Sequence, residues 1–138
     1  MSKFFIDANF IIAIFKDFDT NHEKAISNIE IIRENDCYIS NGILNEIITI
    51  LMIRTKNIEL TKKAYRFLND NFTIINEYEI EIFNDKVFSL FKKYNKSNYK
   101  LSFIDCSIVI IFKHYKLDSV VSFDKRFKLF DEIKLYEF

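Results

Sequence analysis

The chain has 138 residues, of which 49% are hydrophobic, and its 20 basic and 20 acidic side chains balance to a net charge of zero. This length predicts a single domain over residues 1–138, and no apolar run approaches the roughly 20 residues that a membrane span requires. One glycine excludes the glycine-rich loops that hold nucleotide phosphates. Two cysteines predict neither a disulfide framework nor a zinc site. We therefore expect a reduced, cytoplasmic protein without a membrane segment.

Apolar segments typical of strands alternate with helical patterns along the chain. Strands are predicted at 3–7, 37–40, 72–75, 120–122 and 133–136, and helices at 9–16, from 20 onward, and at 43–54, 60–71, 79–94 and 102–115. This alternation predicts a three-layer α/β/α fold whose central sheet has five strands and is mostly parallel. The helix over 43–54 is apolar nearly all round, which predicts that it is largely buried.

Four acidic side chains follow strands or open helices where a parallel sheet carries its functional site. Asp7 and Asp124 come after the first and fourth predicted strands, and such sheets bind ligands beyond the carboxyl ends of their strands. Glu46 and Asp105 belong to the first turns of two helices. We expect these four carboxylates to lie close together.

Three of these acids have a structural alternative as helix caps. Ser102-x-x-Asp105 matches a capping box, and Asp7 and Asp124 each precede a turn that a carboxylate can cap. A further capping box is predicted at Thr20, with glutamate three residues later. For each acid taken alone, capping explains its position as well as a site does.

Glu46 is harder to explain as a structural residue. Its helix is almost wholly apolar, no Lys or Arg lies within four residues, and an unpaired buried carboxylate is costly. Asp105 is likewise flanked by apolar residues. A hard cation such as Mg²⁺ takes one or two carboxylates, keeps several waters, and would relieve the repulsion among converging acids. The pattern therefore predicts a metal site.

Basic side chains are concentrated around two of these acids. Residues 86–128 carry ten basic and only three acidic side chains, and Asp105 and Asp124 are two of the three. This excess favours contact with the phosphates of a nucleic acid, and the alternative is a solvated helix face. The candidates for phosphate contact are Lys96, Lys100, Lys125 and Arg126.

Four segments in a fixed order carry the most specific pattern. They are Phe-Ile-Asp-Ala-Asn at 5–9, Ser-x3-Leu-x-Glu at 40–46, Leu-Ser-Phe-Ile-Asp-Cys at 101–106 and Val-Ser-Phe-Asp-x-x-Phe at 121–127. With these segments the chain resembles PIN-domain ribonucleases, and in size it resembles the VapC-type toxins of toxin–antitoxin pairs. One departure is Cys106, where the family usually has alanine.

The resemblance implies metal-dependent hydrolysis of RNA with Mg²⁺ or Mn²⁺. It implies metal ligation chiefly by Asp7 and Asp105, with Glu46 and Asp124 completing the acidic cluster. It places Asn9 and Ser122 where the family hydrogen-bonds its ligands or waters. An antitoxin protein and a second copy of the chain, in a homodimer, are the implied partners.

Two other functions stay open from the sequence. The same fold serves RNA-processing nucleases that are not toxins, and a small antitoxin gene upstream would separate the two roles. A non-catalytic α/β signalling module with a phospho-acceptor aspartate is disfavoured, because Asp7 is followed by Ala8 where that class pairs two acids.

Overall fold

A parallel sheet with helices on its two faces forms the fold in the computed structural model, which describes residues 1–97 and 101–138. The strands are β1 (Lys3–Ile6), β2 (Asp36–Ser40), β3 (Thr73–Ile75) and β4 (Ser119–Val121). The helices are α1 (Ala8–Phe15), α2 (His22–Ser27), α3 (Glu30–Glu34), α4 (Asn41–Thr55), α5 (Ile58–Asn71), α6 (Phe83–Tyr94) and α7 (Phe103–His114). Two short 3₁₀ helices, Glu77–Glu79 and Lys125–Leu129, follow β3 and β4.

The sheet has the order β3-β2-β1-β4, with every neighbouring pair parallel. Because parallel crossovers are right-handed, the reversal of direction after β3 puts the helices on both faces. Accordingly α4 packs on α1 and α5, whereas α6 packs on α7. The central strand β1 is apolar because both of its faces are covered, and Phe5 and Ile6 are fully buried. The strand order reverses at β1, so the carboxyl ends of β1 and β4 open at the switch point.

The predicted fifth strand at 133–136 is wrong, and the sheet has four strands among the described residues. This segment forms only an isolated parallel bridge, in which Val120 donates to Lys134 O and accepts from the Tyr136 N–H, both at 2.8 Å. Alternate residues of a strand bond to opposite neighbours, and β4 has three residues. Only its middle residue therefore faces the outer edge, so no ladder can extend.

Two predictions about helices also need correction. The capping box at Thr20 does not form, because α2 begins at His22 and its N-cap Asn21 makes no side-chain bond. The helix α4 is buried along one face only, and Ile53 on its outer face is 67% exposed. An apolar sequence needs a covering element to be buried, and in the described part of the chain α4 packs mainly on α1, α5 and the sheet.

The single glycine lies where α4 begins. The buried Glu77 carboxylate accepts hydrogen bonds from the Ser40 hydroxyl and the Gly42 N–H, although its burial raises its pKa. A Cβ atom at Gly42 would lie 3.2 Å from Oε2 of Glu77, which is a tight contact. Glu77 is thus a cap supplied from another segment.

No helix in the described residues is long and apolar enough to cross a bilayer.

Candidate metal centre

The four acids predicted as a site line a single cavity of about 540 Å³ at the switch point of the sheet. Asp7 caps α1 at the end of β1, and Asp124 precedes the 3₁₀ helix that follows β4. Glu46 lies in the second turn of α4 and Asp105 in the first turn of α7. Strand ends and helix starts from four separate parts of the chain therefore supply the carboxylates.

Asp7 is the most deeply buried of the four, with 8% of its surface exposed. Its Oδ1 accepts from the Ala8 N–H at 2.8 Å and its Oδ2 from the Ser122 hydroxyl at 2.7 Å. Burial raises the pKa of Asp7 to about 7, and the charges of Asp105 and Glu46 add to that rise although both hydrogen bonds oppose it. Two donors are therefore too few to offset the loss of water around this carboxylate.

The Ser122 hydroxyl connects three residues of the site. It donates to Asp7 and accepts from Asn9 Nδ2 at 2.9 Å and from the Asp124 N–H at 3.0 Å. Asn9 Oδ1 in turn accepts from the Phe123 N–H at 3.2 Å. One donor and two acceptor positions are all that a hydroxyl offers, so Ser122 is saturated and fixed in orientation.

The carboxylates of Glu46 and Asp105 line the same cavity and interact electrostatically. Burial raises the pKa of Glu46, and the Asp105 carboxylate raises it further. Asp105 also forms the predicted capping box, since its Oδ2 accepts from the Ser102 N–H and its own N–H donates to Ser102 Oγ, both at 3.0 Å. Because a carboxylate has two oxygens, the cap leaves Oδ1 of Asp105 for another partner.

Asp124 is the acid with a strong cationic partner. Arg126 Nη2 lies 2.6 Å from Asp124 Oδ2 and Arg126 Nε lies 3.0 Å from Oδ1, and the Arg126 N–H donates to Oδ1 at 2.9 Å. These bonds hold the pKa of Asp124 below its usual range. Arg126 also lies near enough to Asp7 and Asp105 for their charges to raise its pKa.

The carboxylate oxygens of the cavity are the kind of donor that binds a hard divalent cation. No three His, Cys, Asp or Glu side chains in residues 1–97 and 101–138 are grouped tightly enough to hold one ion as they stand. Mg²⁺ does not require three, because it takes one or two carboxylates and retains several waters. Burial is the main cause of the raised pKa of Asp7, with smaller contributions from the charges of Asp105 and Glu46, and a bound cation would offset both effects.

Several residues of the cavity wall were not predicted from the sequence. They are Asp19, Asn21 and Arg54, of which Asp19 pairs with Lys16 at 3.6 Å. Arg54 lies eight residues after Glu46 in α4, a helical spacing that places both on one face and was visible in the sequence. Asp19 and Asn21 precede α2 and gave no such signal.

The predicted phosphate-binding residues occupy different places. Arg126 lines the cavity, whereas the exposed Lys125 lines a neighbouring cleft. Lys96 is exposed after α6 and is not among the described residues that line the cavity. Lys100 lies outside the described residues.

The comparison with known families agrees with the fold described above. The PIN domain family model matches residues 4–133, so the chain belongs to this family. That membership argues against the signalling-module alternative. Comparison of the sequence with curated proteins gave no significant match.

Solved structures share the fold at low sequence identity. VapC20 of Mycobacterium tuberculosis, a Sarcin-Ricin loop cleaving toxin, is 19% identical with a TM-score of 0.76, covering 95% of this chain and 98% of its own. VapBC2 of Rickettsia felis, bound to a DNA fragment from its promoter, is 15% identical with a TM-score of 0.74 and 97% coverage of both chains. PAE2754 of Pyrobaculum aerophilum is 14% identical with a TM-score of 0.63, covering 96% and 86%.

Proposed function

We propose that the protein is a metal-dependent endoribonuclease that hydrolyses phosphodiester bonds of RNA. The observation that carries this proposal is the convergence of Asp7, Glu46 and Asp105 on one cavity, with the pKa of Asp7 raised to about 7. Membership of the PIN family supports it. The acids would hold Mg²⁺ or Mn²⁺, chiefly through Asp7 and Asp105, and Glu46 and Asp124 would complete the cluster.

Different residues of the chain would have different roles in the reaction. A bound divalent cation polarises phosphoryl oxygens and lowers the pKa of a water ligand. Ser122 and Asn9 hold the Asp7 carboxylate in one orientation. Arg126, at the cavity wall, is placed to exchange its contact with Asp124 for a substrate phosphate, a group that its planar guanidinium binds well. Lys125, Lys96 and Lys100 would contact neighbouring phosphates.

The cleavage assay uses purified protein, single-stranded RNA and either Mg²⁺ or Mn²⁺. We expect cleavage that EDTA abolishes and that Asp7→Asn lowers by at least about a hundredfold, the scale expected when a group acting in the transition state is removed. Asp70→Asn is the matched control, because this aspartate is exposed on α5 and outside the cavity. Cleavage that survives both EDTA and Asp7→Asn would overturn the metal mechanism.

We further propose that the nuclease acts as the toxin of a type II toxin–antitoxin pair, in the cytoplasm and as a homodimer. The likeness to VapC20, a toxin, and to VapBC2 supports this role. Its partner would be an antitoxin protein with a segment in the acidic groove. Induced expression should arrest growth, Asp7→Asn should not, and co-expression of the upstream gene should relieve the arrest. Harmless expression of an enzyme that cleaves RNA in vitro would favour the RNA-processing alternative.

A further inference from the structure

A second cleft of about 390 Å³ adjoins the acidic cavity and has the opposite charge. Three lysines line it, Lys24 from α2 and Lys125 and Lys128 from the 3₁₀ helix after Asp124. Glu137 is the one acid among the described residues of its lining. The acidic cavity has five acids and two arginines in its lining, so net charge changes sign between the two spaces.

The two spaces are separated by a thin, hydrogen-bonded partition. Asn9 lines the acidic cavity and bonds to Ser122 and Phe123, which line the basic cleft. Asn21 lines both spaces. Because the Ser122 hydroxyl donates to Asp7, a single side chain of the cleft contacts the proposed metal ligand. The cavity and the cleft therefore share part of their walls.

Aromatic rings hold Lys24 at the cleft without neutralising it. Its Nζ lies 5.8 Å from the ring centroid of Phe123 and 5.2 Å from that of Phe138. The two rings stack with centroids 5.0 Å apart and an interplanar angle of 23°. A cation–π contact orients an ammonium group but leaves its full charge for an anion.

The charges of the cleft are not used elsewhere in the fold. Within the described residues, Lys24, Lys125 and Lys128 make no salt bridge, whereas Lys16, Lys62 and Lys93 each pair with a carboxylate. Because these three lysines line one cleft, an anion bound there would meet several ammonium groups at once. The lysines thus form a site for a polyanion beside a cavity that would accept a phosphate only with a cation bound to its acids.

We propose that this basic cleft binds the sugar–phosphate backbone of the RNA strand next to the phosphodiester held in the acidic cavity. The inference rests on the proposed nuclease function and specifies how that site takes its substrate. RNA is favoured over an acidic protein segment because the cleft adjoins the cavity in which the proposed function places a phosphodiester, so that one strand would occupy both. Backbone contacts of this kind bind single strands without regard to sequence.

Binding is measured by the fluorescence anisotropy of a fluorescein-labelled 12-nucleotide RNA of random sequence, in EDTA so that no cleavage occurs. The test variant is Lys24→Gln/Lys128→Gln, which leaves Lys125 beside the acids intact. The control is Lys62→Gln/Lys63→Gln, which removes the same charge from exposed positions on α5, outside both spaces. Circular dichroism melting checks that both variants fold.

We expect the cleft variant to weaken RNA binding by about tenfold and to lower the salt slope by about 0.7 for each phosphate that the protein no longer neutralises. The control should leave both unchanged. In Mg²⁺, the cleft variant should raise KM for a long RNA and leave kcat near that of the wild type. Equal binding by the cleft variant and the control overturns the inference, as does a cleft variant that loses only antitoxin binding. If the wild type does not cleave RNA, the nuclease proposal fails instead. The binding assay in EDTA does not depend on cleavage, so the two failures can be distinguished.

Discussion

The Ser122 hydroxyl donates a 2.7 Å hydrogen bond to Oδ2 of Asp7, a residue 115 positions away in the chain. This bond joins the ends of β1 and β4, the two strands at which the sheet reverses its order. It is also one of two bonds that lower the pKa of the buried Asp7 carboxylate. Ser122 therefore fixes the position of the proposed metal ligand and favours its ionised form against the effect of burial.

Replacing Ser122 tests this relationship. Ser122→Ala removes one donor from Asp7 and an acceptor from Asn9 and from the Asp124 N–H. We expect Mg²⁺ or Mn²⁺ affinity, measured by isothermal titration calorimetry, to fall by roughly 10–100-fold, the range found for residues that orient metal ligands. Ser119→Ala is the control, a buried serine in the same part of the sheet but outside the cavity. Equal affinity in the two variants would contradict the role given to Ser122.

The ionisation of Asp7 makes the stability of the metal-free protein depend on pH. Its pKa is about 7 when folded and 3.8 ordinarily, so the folded state binds the extra proton between these values. The stabilisation of the folded state by the protonated Asp7 is fully present below pH 4 and is lost as the pH rises through about 7. Without metal at pH 8, we expect Asp7→Asn to be more stable than the wild type by on the order of 1–3 kcal/mol.

Thermal melting between pH 4 and pH 8 measures this effect. The Tm difference between Asp7→Asn and the wild type should grow with pH in EDTA and shrink when Mg²⁺ is added, because only the wild type gains from the metal. Asp70→Asn should follow the wild type throughout, since that carboxylate is exposed. A difference that does not change with pH would mean that Asp7 ionises normally in the folded protein.

Arg126 is expected to oppose metal binding and to favour RNA binding. Arg126→Gln removes the guanidinium from Asp124 and so returns the pKa of that acid toward its usual range. We expect metal affinity to rise by roughly two- to fivefold, as for loss of a competing exposed ion pair, and KM for RNA to rise as well. Arg66→Gln, an exposed arginine on α5, should change neither quantity. A fall in metal affinity would show that Arg126 supports the acids rather than competing with a cation.

Gly42 and Glu77 are expected to be energetically coupled. Alanine suits a helix better than glycine by up to about 1 kcal/mol, but at Gly42 its Cβ would lie 3.2 Å from the Glu77 carboxylate. We expect Gly42→Ala to destabilise the wild type and to stabilise a Glu77→Ala background. Urea unfolding of the two single variants and the double variant gives the coupling energy. Additive effects would show that the carboxylate moves aside without cost.

The sequence predicted the convergence of the four acids better than it predicted the edges of the fold. The family inferred from four ordered segments is confirmed by the match over residues 4–133. Buried strands ending in Asp7 and near Asp124 were visible because apolar runs stop abruptly there. The prediction of a fifth strand at 133–136 was wrong although the segment has the composition of a strand. Pairing also needs free backbone groups on the neighbouring strand, and β4 offers those of one residue.

Burial and side-chain partners depend on packing that no local pattern records. The apolar sequence of α4 suggested a buried helix, yet only the face with Ile43, Ile47 and Leu51 is covered. Helix capping and metal ligation were treated as alternatives for Asp105, and the capping box is present in a residue that also lines the cavity. One carboxylate has two oxygens, so the two roles are compatible. The pairing of Arg126 with Asp124 has no signal beyond their proximity in sequence.

The helix caps formed by Asp7, Asp105 and Asp124 have a consequence for genetic selection of inactive alleles. An alanine at Asp7 or Asp124 removes a cap, worth about 1 kcal/mol, and an alanine at Asp105 removes the reciprocal bond of the capping box; each also removes a carboxylate of the cavity. A loss of that size lowers the abundance of a marginally stable protein in cells. Surviving alanine alleles will therefore score as inactive partly because less protein is present. Asparagine can still cap, so its alleles keep this contribution to stability while removing the carboxylate charge.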